Sequence, residues 1–344
     1  MLKSKLLAST FLIFLTFVNG AVVASKLKLG GHYNTWIGFG ADGTAEQVNN
    51  FDVKHDATLK FVWRQSLKNG IVVGGRKVMN AGTGNSTGSG TWGQTFFYFL
   101  GAFGKFQIGN SDPAASYVGG IKGVGPIQKN ADEWVGLTNA QAIDNGNDVG
   151  MGDAQKITYF SPKMGPLFVG FSYQPDASDS NAGDNDDTEI KGNRDGVSAM
   201  GKFSGKAGRI IYSVAAGYSQ INTGTIKKNG WNMNLTIERG HTVFTFFRAA
   251  EDNDSNTKDT DFGAALKVVL NKSDTMSIQY CGATRSEILL PDKNTIVTSA
   301  GYSKNLGGGI KLEGSIFNVG VDNGSGNSDN VNENGIVLGF KVKF

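Results

Sequence analysis

The sequence predicts an all-β chain closed into a 16-stranded antiparallel transmembrane β-barrel, and three observations carry that prediction. Glycine contributes 49 of the 344 residues, about twice its usual share. Since glycine destabilises a helix interior by roughly 1 kcal/mol relative to alanine, a mainly helical fold is excluded. Apolar and polar residues alternate with a period of two along the chain, and the connections alternate between tight turns and long polar stretches. The glycines follow no Gly-X-Y period, and 39% hydrophobic content gives far more to bury than a disordered chain has.

The first element is an address. Lys3 and Lys5 precede an apolar run from Leu6 to Val18, followed by Asn19-Gly20 and the small-residue site Val22-Val23-Ala24. That is the layout of a secretory signal peptide over residues 1–24, and the run is shorter than the ~20 residues a spanning helix needs. Residues 25–344 are then the exported barrel. Single Cys281 allows no intrachain disulfide, and a net charge of +3 gives no reason to expect nucleic acid.

Within the mature part, Phe51, Val53, Leu59, Phe61 and Trp63 oppose Lys54, Asp56, Thr58, Lys60 and Arg64. Ile210, Tyr212, Val214, Ala216 and Tyr218 form a further apolar face, as do Trp231, Met233, Leu235 and Ile237 against Asn232, Asn234, Thr236 and Glu238. The pattern continues in Phe262, Ala264, Leu266, Val268 and Leu270, and ends in Ile336, Leu338, Phe340, Val342 and Phe344. Strands of about 9–15 residues are expected, enough to cross a bilayer when tilted. Tight turns fall at 67–70, 101–104, 162–165, 205–208, 238–241, 271–274 and 304–308. Long polar connections fall at 40–50, 80–91, 111–153, 176–195, 220–229, 251–259, 285–293 and 321–332. Seven turns, eight loops and two termini on the turn side make sixteen strands, and closure removes the edges that lipid cannot satisfy. The soluble alternative, a secreted β-sandwich or lectin, is disfavoured because its strands are commonly nearer five or six residues.

Four segments make the chain resemble the general porins of Gram-negative outer membranes, the trimeric type. They are Leu27-Lys28-Leu29-Gly30-Gly31, Gly104 to Asn110 before the third loop, Tyr159-Phe160-Ser161-Pro162 after it, and the terminal Phe344. The chain departs from the family at Ile108-Gly109-Asn110, where the family often has Leu-Gly-Arg and so supplies a basic residue. The resemblance implies an outer-membrane location, a homotrimer, and surroundings of outer-membrane lipid and lipopolysaccharide. It also implies that Phe344, Val342 and Phe340 form the signal read by the barrel assembly machinery. No cofactor is expected.

The third loop, 111–153, is long enough to suggest function. It carries Asp112, Asp132, Glu133, Asp144, Asp148 and Asp153 against Lys122 and Lys129. In the resembling family this loop folds into the lumen and narrows it. Strand parity places Lys28, His32, Lys54, Lys60, Arg64 and Arg76 on the inward face as pore-wall bases. Opposed rows of charge would set a field across the pore and select solutes by size and charge. Elsewhere, strand 4 with Phe96, Phe97, Tyr98 and Phe99 is apolar on both faces, asking for either a protein neighbour or packing under the third loop. The acids Asp176, Asp179, Asp184, Asp186, Asp187 and Glu189 are candidates for Ca2+ or Mg2+ bridging to lipopolysaccharide, against the plainer reading of a solvated charge run.

Gly38-x-Gly40-x-x-Gly43, Gly88-x-Gly90-x-x-Gly93 and Gly84-Asn85-Ser86-Thr87-Gly88 match enzyme motifs. They lack the strand–turn–helix context those motifs require. His32, His55 and His241 have no metal spacing. The expected function is therefore not enzymatic but passive diffusion of ions and small hydrophilic solutes through a water-filled channel. The alternatives are a substrate-specific channel for phosphate, a sugar or an organic acid, and a structural or adhesive barrel.

Overall fold

A computed structural model describes residues 26–40, 51–83, 91–128, 149–152, 154–176, 194–224, 226–253, 257–287, 290–322, 324 and 330–344. The strands are β1 (Lys26–Gly40), β2 (Phe51–Ser66), β3 (Val72–Thr83), β4 (Thr91–Gly101), β5 (Gly104–Ser111), β6 (Ala154–Phe160), β7 (Leu167–Gln174) and β8 (Arg194–Ala207). They continue as β9 (Ile210–Thr223), β10 (Lys227–Arg239), β11 (Thr242–Asn253), β12 (Thr257–Val269), β13 (Asp274–Glu287), β14 (Leu290–Gly307), β15 (Ile310–Asp322) and β16 (Val331–Lys343). Each pairs antiparallel with its sequence neighbours, and β1 pairs with β16 to close the barrel. The signal segment 1–24 lies outside the described residues.

Parity decides which side chains face out. On β1 the exposed large side chains are Leu27, Leu29, Tyr33, Ile37 and Phe39, every second residue. The register carries this face onto Phe61, Val53 and Phe51 of β2 and onto Phe340, Leu338 and Ile336 of β16. Trp231 and Met233 of β10, Ile278 and Tyr280 of β13 and Ile316 of β15 extend the band. An apolar outer surface of this extent suits hydrocarbon, and a closed ladder leaves no backbone edge within it. The turn 271–274 shows why the short connections are tight: Asn271 Oδ1 accepts hydrogen bonds from the Ser273 and Asp274 amides at 2.8 and 2.9 Å.

The strands run from 7 residues in β6 to 18 in β14, a wider range than the periodicity suggests. The short ones, β5, β6 and β7, flank the third loop. There the chain leaves the wall after Ser111 and rejoins it at Ala154, so the ladder between β5 and β6 stops early.

The last residue belongs to the closure. Phe344 accepts a hydrogen bond from the Gly31 amide at 2.9 Å and donates one to the Gly31 carbonyl at 3.3 Å. A Cβ at Gly31 would lie 2.9 Å from the Phe344 ring, so glycine there lets the ring lie against β1. Deleting Phe344 removes both bonds at the seam, and the fraction of protein reaching the heat-resistant folded form is expected to fall about tenfold, as an unpaired strand end in lipid is costly. Semi-native electrophoresis with and without boiling checks this, and an unchanged folded fraction would contradict it.

Candidate channel interior

The inward face is not uniformly polar. On β6 to β16 it carries Phe160, Met200, Phe247, Cys281, Val297, Phe317, Val319 and Val337, all buried. Apolar side chains facing a water-filled lumen would be costly unless something covered them. The start of the third loop covers them. Ala114 and Val118 pack with Phe160, Met200 and Ala215, and further along Ile127 packs with Phe247, Cys281, Val297 and Val337.

A loop with no ladder of its own needs partners for its backbone, and inward-facing polar side chains supply them. Ser172 and Ser198 hydroxyls accept the Ala114 and Ala115 amides at 2.8 and 2.9 Å. Asn232 and Asn234 amides donate to the carbonyls of Ala115 and Gly120 at 3.1 and 3.0 Å. Ser277 accepts the Val124 amide at 2.9 Å, Ser315 accepts the Ile127 amide at 3.3 Å, and Gln279 donates to the Ile127 carbonyl at 3.2 Å. Residues 112–128 thus run along the inner wall from β6 to β15, with a 3-10 helix over Ala114–Val118 where no regular element is expected from the sequence. Wall glycines admit this close approach. A Cβ at Gly217 would lie 2.9 Å from both Ala115 and Val118, and one at Gly301 would strike the Val124 carbonyl.

The six expected wall bases all fall on inward positions, on the side this segment leaves bare. Lys28 pairs across with Val62, His32 with Thr58, Lys60 with Gly30 and Val78, Arg64 with Gly74, and Arg76 with Val62 and Phe96. Lys54 pairs with Trp36. They do not form an uninterrupted basic row. His32 Nε2 lies 2.9 Å from Asp56 Oδ2, which also accepts a hydrogen bond from Asn34 at 3.2 Å, and Lys54 lies 3.7 Å from Asp52. The carboxylates on β2 offset the bases nearest them, an effect that an inventory of bases alone does not include. Lys343, paired across from His32, joins the group from β16.

Of the loop acids, Asp112 is held at the loop's root by the Gln94 amide. Asp132, Glu133, Asp144, Asp148 and Asp153 lie outside the described residues. Lys122, counted with the loop's bases, is 3.3 Å from the wall carboxylate Glu238. Of the fourth-loop acids only Asp176 is described, and among the described residues no three His, Cys, Asp or Glu side chains gather as a metal site. On β4, Phe96 and Tyr98 face inward while Phe97 and Phe99 face out. The inner pair is covered by the Lys105 ammonium, 5.5 and 5.1 Å from the two ring centroids.

The serines, asparagines and apolar residues that seat the loop are not among the site residues expected from the sequence. Their signal in the sequence is an apolar residue on the inward register beside polar ones, as Phe247 two residues after Thr245 and Val297 between Thr295 and Ser299.

A closed sixteen-stranded barrel, apolar outside and charged within, with a loop laid along its inner wall, defines a transmembrane channel. The chain belongs to the Gram-negative porin family, whose family model matches residues 8–340. It is an outer-membrane channel for passive diffusion, a transport protein by family and fold. Among solved structures it is similar to the anion-selective porin from Comamonas acidovorans, with a TM-score of 0.64, 13% identity and coverage of 93% of this chain and 100% of that one. It is also similar to OmpT of Vibrio cholerae in its trimer form, with a TM-score of 0.63, 10% identity and coverage of 94% and 100%. A Rh. blastica porin mutant gives a TM-score of 0.59 at 12% identity, with coverage of 93% and 100%. No curated protein sequence matches the chain.

Proposed function

We propose that the channel passes ions and small hydrophilic solutes by size and charge, selecting where the third loop and the basic β1–β3 wall face each other. The observation that carries this is the segregation of the lumen: residues 112–128 are tied to β6–β15, while Lys60 and Arg76 stand on the opposite wall. A solute passing between them meets charge and a reduced aperture, and no side chain has to change protonation or form a bond. The working assembly in this reading is a homotrimer in outer-membrane lipid and lipopolysaccharide. Export proceeds through the signal peptide 1–24, and the barrel assembly machinery reads Phe344. The similarity to a trimeric outer-membrane protein supports the assembly state, and the interlocked Phe344–Gly31 seam supports the role of the terminus.

Single-channel recording in a planar bilayer under a salt gradient tests this. Nanosiemens steps closing in thirds are expected, and a folded, inserted protein without conductance would refute the reading. Replacing Lys60 and Arg76 together with glutamine is expected to raise the cation-to-anion permeability ratio about threefold, because two fixed positive charges leave the narrow region. An unchanged reversal potential would place selection elsewhere.

A further inference from the structure

We propose that the β3–β6 wall of the lumen holds a subsite for small aromatic carboxylates, between Tyr117 and the cations Arg76 and Lys105. This rests on the open-channel reading above and names a class of solute for it. Lys105 is the first observation. Its ammonium lies over the rings of Phe96 and Tyr98 on the inner wall, so a cation is already stripped of much of its water and fixed by ring faces. The Tyr98 ring in turn lies across Gly74, which has no side chain to lift it from the wall. Arg76 pairs across from Phe96, one of the rings beneath Lys105, and Lys105 pairs across from Phe160, whose ring meets Tyr117.

Unmet hydrogen bonding is the second observation. Gln107, on β5 between Tyr98 and Thr158, is fully buried, and neither its amide nitrogen nor its oxygen has a hydrogen-bond partner among the described residues. Arg76 Nε is likewise without one. The Tyr117 hydroxyl neighbours Gln107 outside hydrogen-bond geometry. A buried amide and guanidinium edge left in this state call for an acceptor, and a carboxylate is the acceptor that suits both.

The aromatic rim is the third. Tyr117 is 42% exposed, and its ring meets Phe160 edge-on at 4.7 Å while Phe160 stacks on Phe168 at 5.7 Å. A ring settling on Tyr117 would extend this chain of aromatic contacts. Asp112 is the opposing charge nearby, and its carboxylate is engaged by Gln94. Two cations against one acid, beside an exposed ring, favour an anion with an aromatic body over an inorganic anion or an aliphatic acid.

The test is block of potassium chloride current by benzoate, with cyclohexanecarboxylate and acetate as matched probes. Benzoate is expected to reduce the open current saturably, with a half-blocking concentration about tenfold below that of either control. Tyr117→Leu and Lys105→Met should each raise that concentration about fivefold, and Tyr117→Phe should retain the block. Conductance steps in potassium chloride establish that each variant is folded and inserted. Equal block by all three anions, no block, or block indifferent to Tyr117→Leu and Lys105→Met would overturn the subsite. Absence of any conductance from the unaltered protein would instead overturn the channel reading on which it rests.

Discussion

Replacing Gly301 with valine is expected to lower single-channel conductance by roughly a third to a half, since the loop pushed off the wall moves into the lumen and narrows the open cross-section that the current follows. Gly301 faces inward on β14, paired with Ser277 and Ser315 on either side. Those two serines hold the amides of Val124 and Ile127. The position a Cβ would take is filled by the Val124 carbonyl, a backbone atom that cannot rotate away. The wall cannot yield either, because β14 is hydrogen-bonded along both edges. The loop must therefore lift. Lifting exposes Ile127, whose burial contributes about 1.5–3 kcal/mol, and breaks several hydrogen bonds of about 1 kcal/mol each. The barrel itself should stay closed, so the variant should still run as a folded species before boiling. Gly320→Val is the matching control: Gly320 points outward on β15 with nothing near its missing Cβ, and its conductance should equal that of the original protein. A Gly301→Val channel of unchanged conductance would show that residues 112–128 do not limit the pore.

Lys156→Met is expected to destabilise the root of the loop by on the order of 3 kcal/mol, since hydrogen bonds to a charged group are worth about 1.5–3 kcal/mol each. Lys156 is almost fully buried on β6. Its ammonium donates to the carbonyls of Ser111, where β5 ends, and Ala154, where β6 begins, the second at 2.7 Å. One cation thus ties the two strands together where the loop departs. Methionine keeps the length and the packing but cannot donate. The variant should close at lower transmembrane voltage, and protease cleavage within 112–153 should become faster. Unchanged closing voltage together with unchanged cleavage would mean that the neck is held by the ladder alone.

These two expectations rest on contacts of very different visibility in the sequence. The strand count, the approximate turn positions and the lipid-facing sets were legible, because a strand between lipid and water must alternate and each side chain reports its own face. The inward placement of His32, Lys60 and Arg76 followed from the same parity. Their surroundings did not. The Asp56 carboxylate that binds His32 lies 24 residues away, and only the β1–β2 register brings them together.

The loop illustrates the division most clearly. Its length and acidity mark 111–153 as functional, but composition cannot say which wall it follows. Gly217, Gly301, Ser198, Ser277 and Ser315 are ordinary inward residues of separate strands until the barrel closes. Closure then lines them up as a seat for residues 114–127. Likewise Lys156 reads as one more inward lysine, and its burial beneath the loop's neck depends on where β5 and β6 stop pairing. The sequence by itself determined the barrel, its number of strands and the face of each residue, since these are local consequences of periodicity and turn chemistry. Only the tertiary structure decided which inward residues carry charge into the pore and which hold the loop, because that depends on contacts between strands and loop segments 45 to 188 residues apart.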